Sequence, residues 1–77
     1  MNSARHSQIL LLIGQLEDIK SQLETIRDEE QAYYDGLSEK AQEGEKGDAS
    51  SSAVDSLETG LGELETAISS FQEVSVE

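Results

Sequence analysis

Any chemistry in this chain has to come from very few residues. His6 is the only histidine and there is no cysteine. That leaves no thiol nucleophile, no disulfide and no thiolate metal site. Serines are plentiful, but a serine nucleophile needs a base held by a third group, and no such set stands out. There is no Glu-x-x-His pair of the kind that holds two irons in a helix bundle. The acids of "RDEE", residues 27–30, are expected to form a solvated face. Neither Asp48 nor Asp55 has calcium-loop spacing around it, and no Gly-rich phosphate loop is present. The sequence therefore predicts no enzyme activity, no metal site and no cofactor.

The residues that remain are of a binding kind. "YYDG", residues 33–36, is the most distinctive patch. Tyr33 and Tyr34 either close the end of a helical hairpin, as core and half-exposed cover, or form a stacking platform for a base or ring. Lys20 and Arg27 stand one heptad apart, and Tyr34 is the next member of that row. Together with Arg5 from a second copy, Lys20, Arg27, Tyr33 and Tyr34 are candidates to hold a small anionic nucleotide between subunits. The formal net charge of -12 opposes such a ligand. It also argues against direct binding to nucleic acid or to an anionic membrane surface. It suits a basic partner protein, and an acidic rod could mimic nucleic-acid charge in a basic cleft.

The elements that position these residues follow from apolar spacing. Ile9, Leu12, Leu16, Ile19, Leu23, Ile26, Glu30, Tyr33 and Leu37 alternate steps of three and four, which is a heptad seam. It predicts one helix over about 3–35, stopped at Gly36 in the left-handed conformation common at helix ends. Residues 36–49 form the expected connection, with Ser38 capping a short turn inside it. The seam resumes at Val54, Leu57, Leu61, Leu64, Ile68 and Phe71. That predicts a second helix over about 50–75, beginning somewhere between Glu45 and Ser52 and capped by Asp48 or a serine. A second, mostly small stripe of Ala53, Gly60, Ala67 and Val74 recurs every seven residues. Glycine inside a helix costs about 1 kcal/mol against alanine, so Gly60 and Gly62 predict close approach of another helix backbone.

Two heptad helices and a short connection predict an all-α antiparallel hairpin as a single domain. Placing Leu37 opposite Val54 makes facing residue numbers add to about 91, so Ile26 meets Leu64 and Leu16 meets Val74. Residues 1–13 are then left without a partner in their own chain, and Ile9, Leu10, Leu11, Leu12 and Ile13 lie in that overhang. Soluble chains seldom leave so large an apolar patch bare, and small domains without disulfides often need to assemble. The expected assembly is a homodimer or higher helix bundle in which the first helix lies antiparallel to its twin. Facing numbers then add to 35, setting Ile9 against Ile26, Leu12 against Leu23 and Leu16 against Ile19. Arg5 meets Glu30 and fixes the register. The apolar run is too short to span a bilayer, and no small-residue cleavage site follows it. A cytoplasmic protein without membrane contact is expected.

The string "IRDEEQAYYDGLSEKAQEGEKGDASSSAVDSLETGLGELETAI", residues 26–68, resembles small acidic two-helix proteins of bacteriophages and prophages. Those tend to carry "RDEEQ-x-YYD", a Gly-Glu-(Lys/Arg)-Gly stretch and repeated "LEEAI". The likeness covers about residues 19–70 and departs at Gly36 and Ser38, where those proteins often have Asn and Pro. It implies a viral or prophage origin and a non-catalytic accessory or counter-defence role in the host cytoplasm. Such a protein docks and blocks a host protein, or else sequesters a signalling nucleotide. A plain coiled-coil spacer is the remaining alternative. The resemblance assigns no functional residues.

Overall fold

The computed structural model describes residues 1–76. They form three helices: α1 over Ser3–Asp35, α2 over Glu39–Gln42 and α3 over Glu45–Gln72. α1 and α3 lie against each other as an elongated helical hairpin measuring 59 × 15 × 12 Å. Among the described residues there is no strand, and no helix is long and apolar enough to cross a membrane.

Each helix start has a local cause. The Asn2 side chain accepts from the Arg5 N–H at 2.8 Å, which satisfies one of the open donors at the head of α1. Ser38 does the same for the single turn of α2, accepting from the Ala41 N–H at 3.2 Å. α3 has no side-chain cap. It starts on Gly44, and the acids Glu45 and Asp48 lie in its first turn, where the helix dipole favours negative charge. Neither Asp48 nor a serine is the cap.

The connection occupies residues 36–44, shorter than the expected 36–49, and α3 begins at Glu45, the earliest start the spacing allows. Gly36 closes α1 with φ -81°, in the right-handed region, and its N–H donates to Ala32 O. Among the described residues none has a positive φ. The tight geometry depends on Gly47 instead. Gly47 is buried, and a Cβ there would collide with the backbone of Gln42. The Gln42 amide reaches back to donate to Tyr34 O at 3.0 Å, so α2 ties the end of α1 to the start of α3.

The early start of α3 changes the register. Glu30 meets Ser50, Lys20 meets Glu65 and Glu17 meets Gln72, pairs whose numbers add to 80, 85 and 89 rather than about 91. α3 therefore reaches further along α1, although it ends at Gln72 and not near residue 75. Residues 1–13 are not all without a partner: Ile13 is only 6% exposed, and Ile9 is half-buried. The rest of the core is thin. Val54, Leu61 and Ile68 are buried, while Leu16, Leu23, Leu57 and Leu64 are half-buried.

The seam itself divides. Two rows of α1 lean on α3. One is Ile9, Leu16, Leu23, Glu30 and Leu37; the other is Ile13, Lys20, Arg27 and Tyr34, all buried or half-buried. The other expected seam row points away. Leu12 is 55% exposed, Ile19 47%, Ile26 51% and Tyr33 49%. α3 lies over the groove between the two inward rows, and a third row falls to one side of that line of contact. The long aliphatic stems of Lys20 and Arg27 complete the inward face in place of the excluded row.

Candidate functional site: two sides of the hairpin

Looking across the helix pair, one side is apolar. The row Leu12, Ile19, Ile26 and Tyr33 runs along it on α1. Phe71 of α3 opens onto the same side, and with Leu12, Leu16 and Ile19 it lines a groove of about 450 Å³. Residues three and four apart on a helix are surface neighbours. Ala67 and Val74 therefore border Phe71, and Ala53 and Gly60 continue their row. Toward the turn the side is mixed: a second shallow recess is lined by Ile26 and Tyr33 together with Glu29 and Glu30.

The opposite side is charged. Glu17, Lys20 and Glu24 from α1 face Glu65, Ser69 and Gln72 from α3 across a polar groove. Lys20 Nζ lies 4.0 Å from Glu65 Oε1, and the Gln72 amide donates to Glu17 Oε1 at 3.4 Å. Acid outnumbers base along this groove.

The candidate ligand residues do not come together within one chain. Lys20, Arg27 and Tyr34 share the inward row that borders the charged side, and all three are half-buried. Arg27 is engaged by its neighbour, with Nη2 3.0 Å from Asp28 Oδ1 and Nε donating to the same oxygen. Tyr33 stands on the apolar side, and Arg5 is exposed near the far end of α1. At 1.5 Å per residue, about 42 Å of helix separates Arg5 from Tyr33. The tyrosine roles are also reversed. Tyr34 helps cover the hairpin end and Tyr33 is the open one.

The expected self-assembly residues divide as well. Ile9, Leu16, Leu23 and Glu30 are already half-covered by α3, and Ile13 is buried. Leu10 and Leu11 are exposed but lie on other rows of α1. Only Leu12, Ile19 and Ile26 form a continuous free row. Glu30, expected to await Arg5 of a twin, has a partner inside its own chain. The Ser50 hydroxyl sits 3.2 Å from Glu30 Oε2 and 3.3 Å from Glu30 O and can donate to either. Pairing α1 with its twin along both seam rows would require the inward row to leave α3.

Sequence reasoning missed Gly47 and Ser50. The signal was present: stepping back from Val54 by four and then three lands on both, so the seam continues through small residues. For Gly60 and Gly62 the expected close neighbour is not in this chain, since an added Cβ at either meets nothing within 4 Å. Among the described residues, no group of three or more acids or histidines is placed to hold a metal. No family model, no curated protein and no solved structure matches the chain.

Proposed function

We propose that the protein is a non-catalytic binding protein of phage accessory type. It assembles as a homo-oligomeric helix bundle through its apolar side and docks a basic surface of a host protein through its acidic faces. One observation carries this. One row on each helix carries no acid, Leu12, Ile19, Ile26 and Tyr33 on α1 and Ala53, Gly60, Ala67 and Val74 on α3, with Glu29 and Glu30 at the margin of the α1 row, while Glu17, Glu24 and Glu65 line the opposite groove. A surface so divided offers two different kinds of contact. Uncharged side chains suit association that excludes water, and a dense negative face steers and holds a positive one.

The test is capture of host proteins on immobilised protein across a salt series, beside a variant with Glu17, Glu24 and Glu65 changed to Gln. Docking through acid should weaken about tenfold or more between low and high salt, and the variant should lose the same partner at low salt. Capture that survives both treatments rules the proposal out.

A further inference from the structure

We infer that a second copy of this chain covers the apolar side, with α1 of each copy lying over α3 of the other about a two-fold axis parallel to the helices. This rests on the self-assembly proposed above and adds the geometry of the contact.

The apolar side is a ridge next to a trough. The ridge is the half-exposed row Leu12, Ile19, Ile26 and Tyr33 on α1. The trough is the small row Ala53, Gly60, Ala67 and Val74 on α3. Cross-hairpin contacts have numbers adding to 80 near the turn, 85 at mid-length and 89 near the open end, so the two rows run side by side and stand level at mid-length. Ile19 is there within about one residue of the height of Ala67, with Leu12 beside Val74 on one side of this point and Ile26 beside Gly60 on the other. A two-fold axis along the helices keeps each residue at its own height while exchanging α1 for α3. The ridge of each copy then lies along the trough of the other, large side chains over small, twice over. An axis across the helices would instead stack ridge on ridge and trough on trough. Such a contact leaves gaps, and protein interiors are close-packed.

Two further observations agree. Gly60 is exposed, and an added Cβ there has open space within its own chain. Its lack of a side chain is explained if Ile26 of another copy occupies that space. Charge points the same way. Ridge and trough carry no acid, in a chain with 17 of them. Glu29 and Glu30 border the α1 row only at its turn end, and two copies of net charge -12 approach with less repulsion along these rows than across the groove of Glu17, Glu24 and Glu65. In this arrangement every neighbouring helix pair is antiparallel, which also suits the helix dipoles.

The chain has no cysteine, so introduced pairs report geometry directly. Sedimentation of the parent gives the oligomeric state. Ile26→Cys with Gly60→Cys, and separately Ile19→Cys with Ala67→Cys, should each oxidise to a covalent dimer. Ile9→Cys with Ile26→Cys, which the antiparallel α1 pairing would join, should not. As a size exchange, Gly60→Leu should weaken association by about 100-fold, and adding Ile26→Ala should recover most of that loss. A parent chain that stays monomeric at about 100 μM, well above ordinary association constants, overturns this arrangement and the self-assembly together. A dimer that links through positions 9 and 26 but not through 26 and 60 overturns this arrangement alone.

Discussion

The two sides of the hairpin are built from the same two helices yet obey different rules. On the charged side the contacts are long and exposed: Lys20 to Glu65 at 4.0 Å, Gln72 to Glu17 at 3.4 Å. Water competes for every one of them, so they add little to the stability of the fold. On the apolar side almost nothing is satisfied within the chain, and four large side chains stand about half in water. The difference teaches where the folding information is kept. The buried line of Ile13, Val54, Leu61 and Ile68 is enough to define a hairpin. The surplus apolar row lies outside that line, and we place it in the proposed contact between copies.

The largest effect should come from charging the apolar side. Ile19→Asp with Ile26→Asp removes two side chains that we place in the contact between copies, each contributing about 1.5–3 kcal/mol when fully buried. Tenfold in affinity is about 1.4 kcal/mol, so association measured by sedimentation should fall about 100-fold or more. The same double change leaves the helical circular dichroism of the dilute chain intact, because both positions already face water there. Glu24→Lys on the charged side is the matched control, with association changing about threefold or less. Equal losses from the two sides would erase the distinction.

Glycines sharpen the comparison. Gly47 and Gly62 are both helical, but only Gly47 is pressed against another backbone. Gly47→Ala should cost about 1–3 kcal/mol, since the turn has to open around the new methyl group. Gly62→Ala, with nothing within 4 Å and Ser69 of the charged side in its row, should add about 1 kcal/mol through helix propensity alone. Thermal unfolding of the two variants should therefore shift in opposite directions. A shared direction would mean that the tight turn does not set the register.

Ser50 gives a smaller effect. It is buried, and its hydroxyl has two acceptor atoms of Glu30 within reach. Ser50→Ala removes that donor but leaves Glu30 partly in water, so the loss should be about 1 kcal/mol in urea unfolding. Ser50→Val keeps the volume closer and tests whether space or the hydrogen bond matters. If Val unfolds at higher urea than the parent, the hydroxyl is not what holds the serine at this position.

How far the sequence carries the fold can be judged from single residues. The helical hairpin is legible because Ile9, Leu16, Leu23, Val54, Leu61 and Ile68 repeat at spacings that only a helix brings to one face. The start of α3 is not, because Gly47 and Ser50 carry the seam without apolar side chains, and a count of hydrophobic positions passes over them. The register follows that start, so the error moves every facing pair. The division of the seam is also hidden. Periodicity says that Leu12 and Leu16 share a face, but not which of the two rows the partner helix covers. For the candidate ligand residues, heptad spacing correctly puts Lys20, Arg27 and Tyr34 in one row. It says nothing about the acids Asp28 and Glu65 that engage them.

The smallest effect asks what Lys20 contributes to the charged side. Its head is 4.0 Å from a glutamate whose side chain is 69% exposed, and its own side chain is 29% exposed. Exposed pairs of this kind are worth about 0–1 kcal/mol and fade with salt. The stem, by contrast, lies on the inward row between Ile13 and Arg27 and covers core. Lys20→Met removes the charge and keeps most of the stem, so stability should change by about 0.5 kcal/mol or less. Lys20→Ala removes both and should cost more, by about 1 kcal/mol of lost burial. The gap between the two variants should persist at high salt, because it comes from area and not from charge. If Met and Ala lose equally at low salt and both losses disappear at high salt, the ion pair is the contribution and the charged side is stabilised by its charges after all.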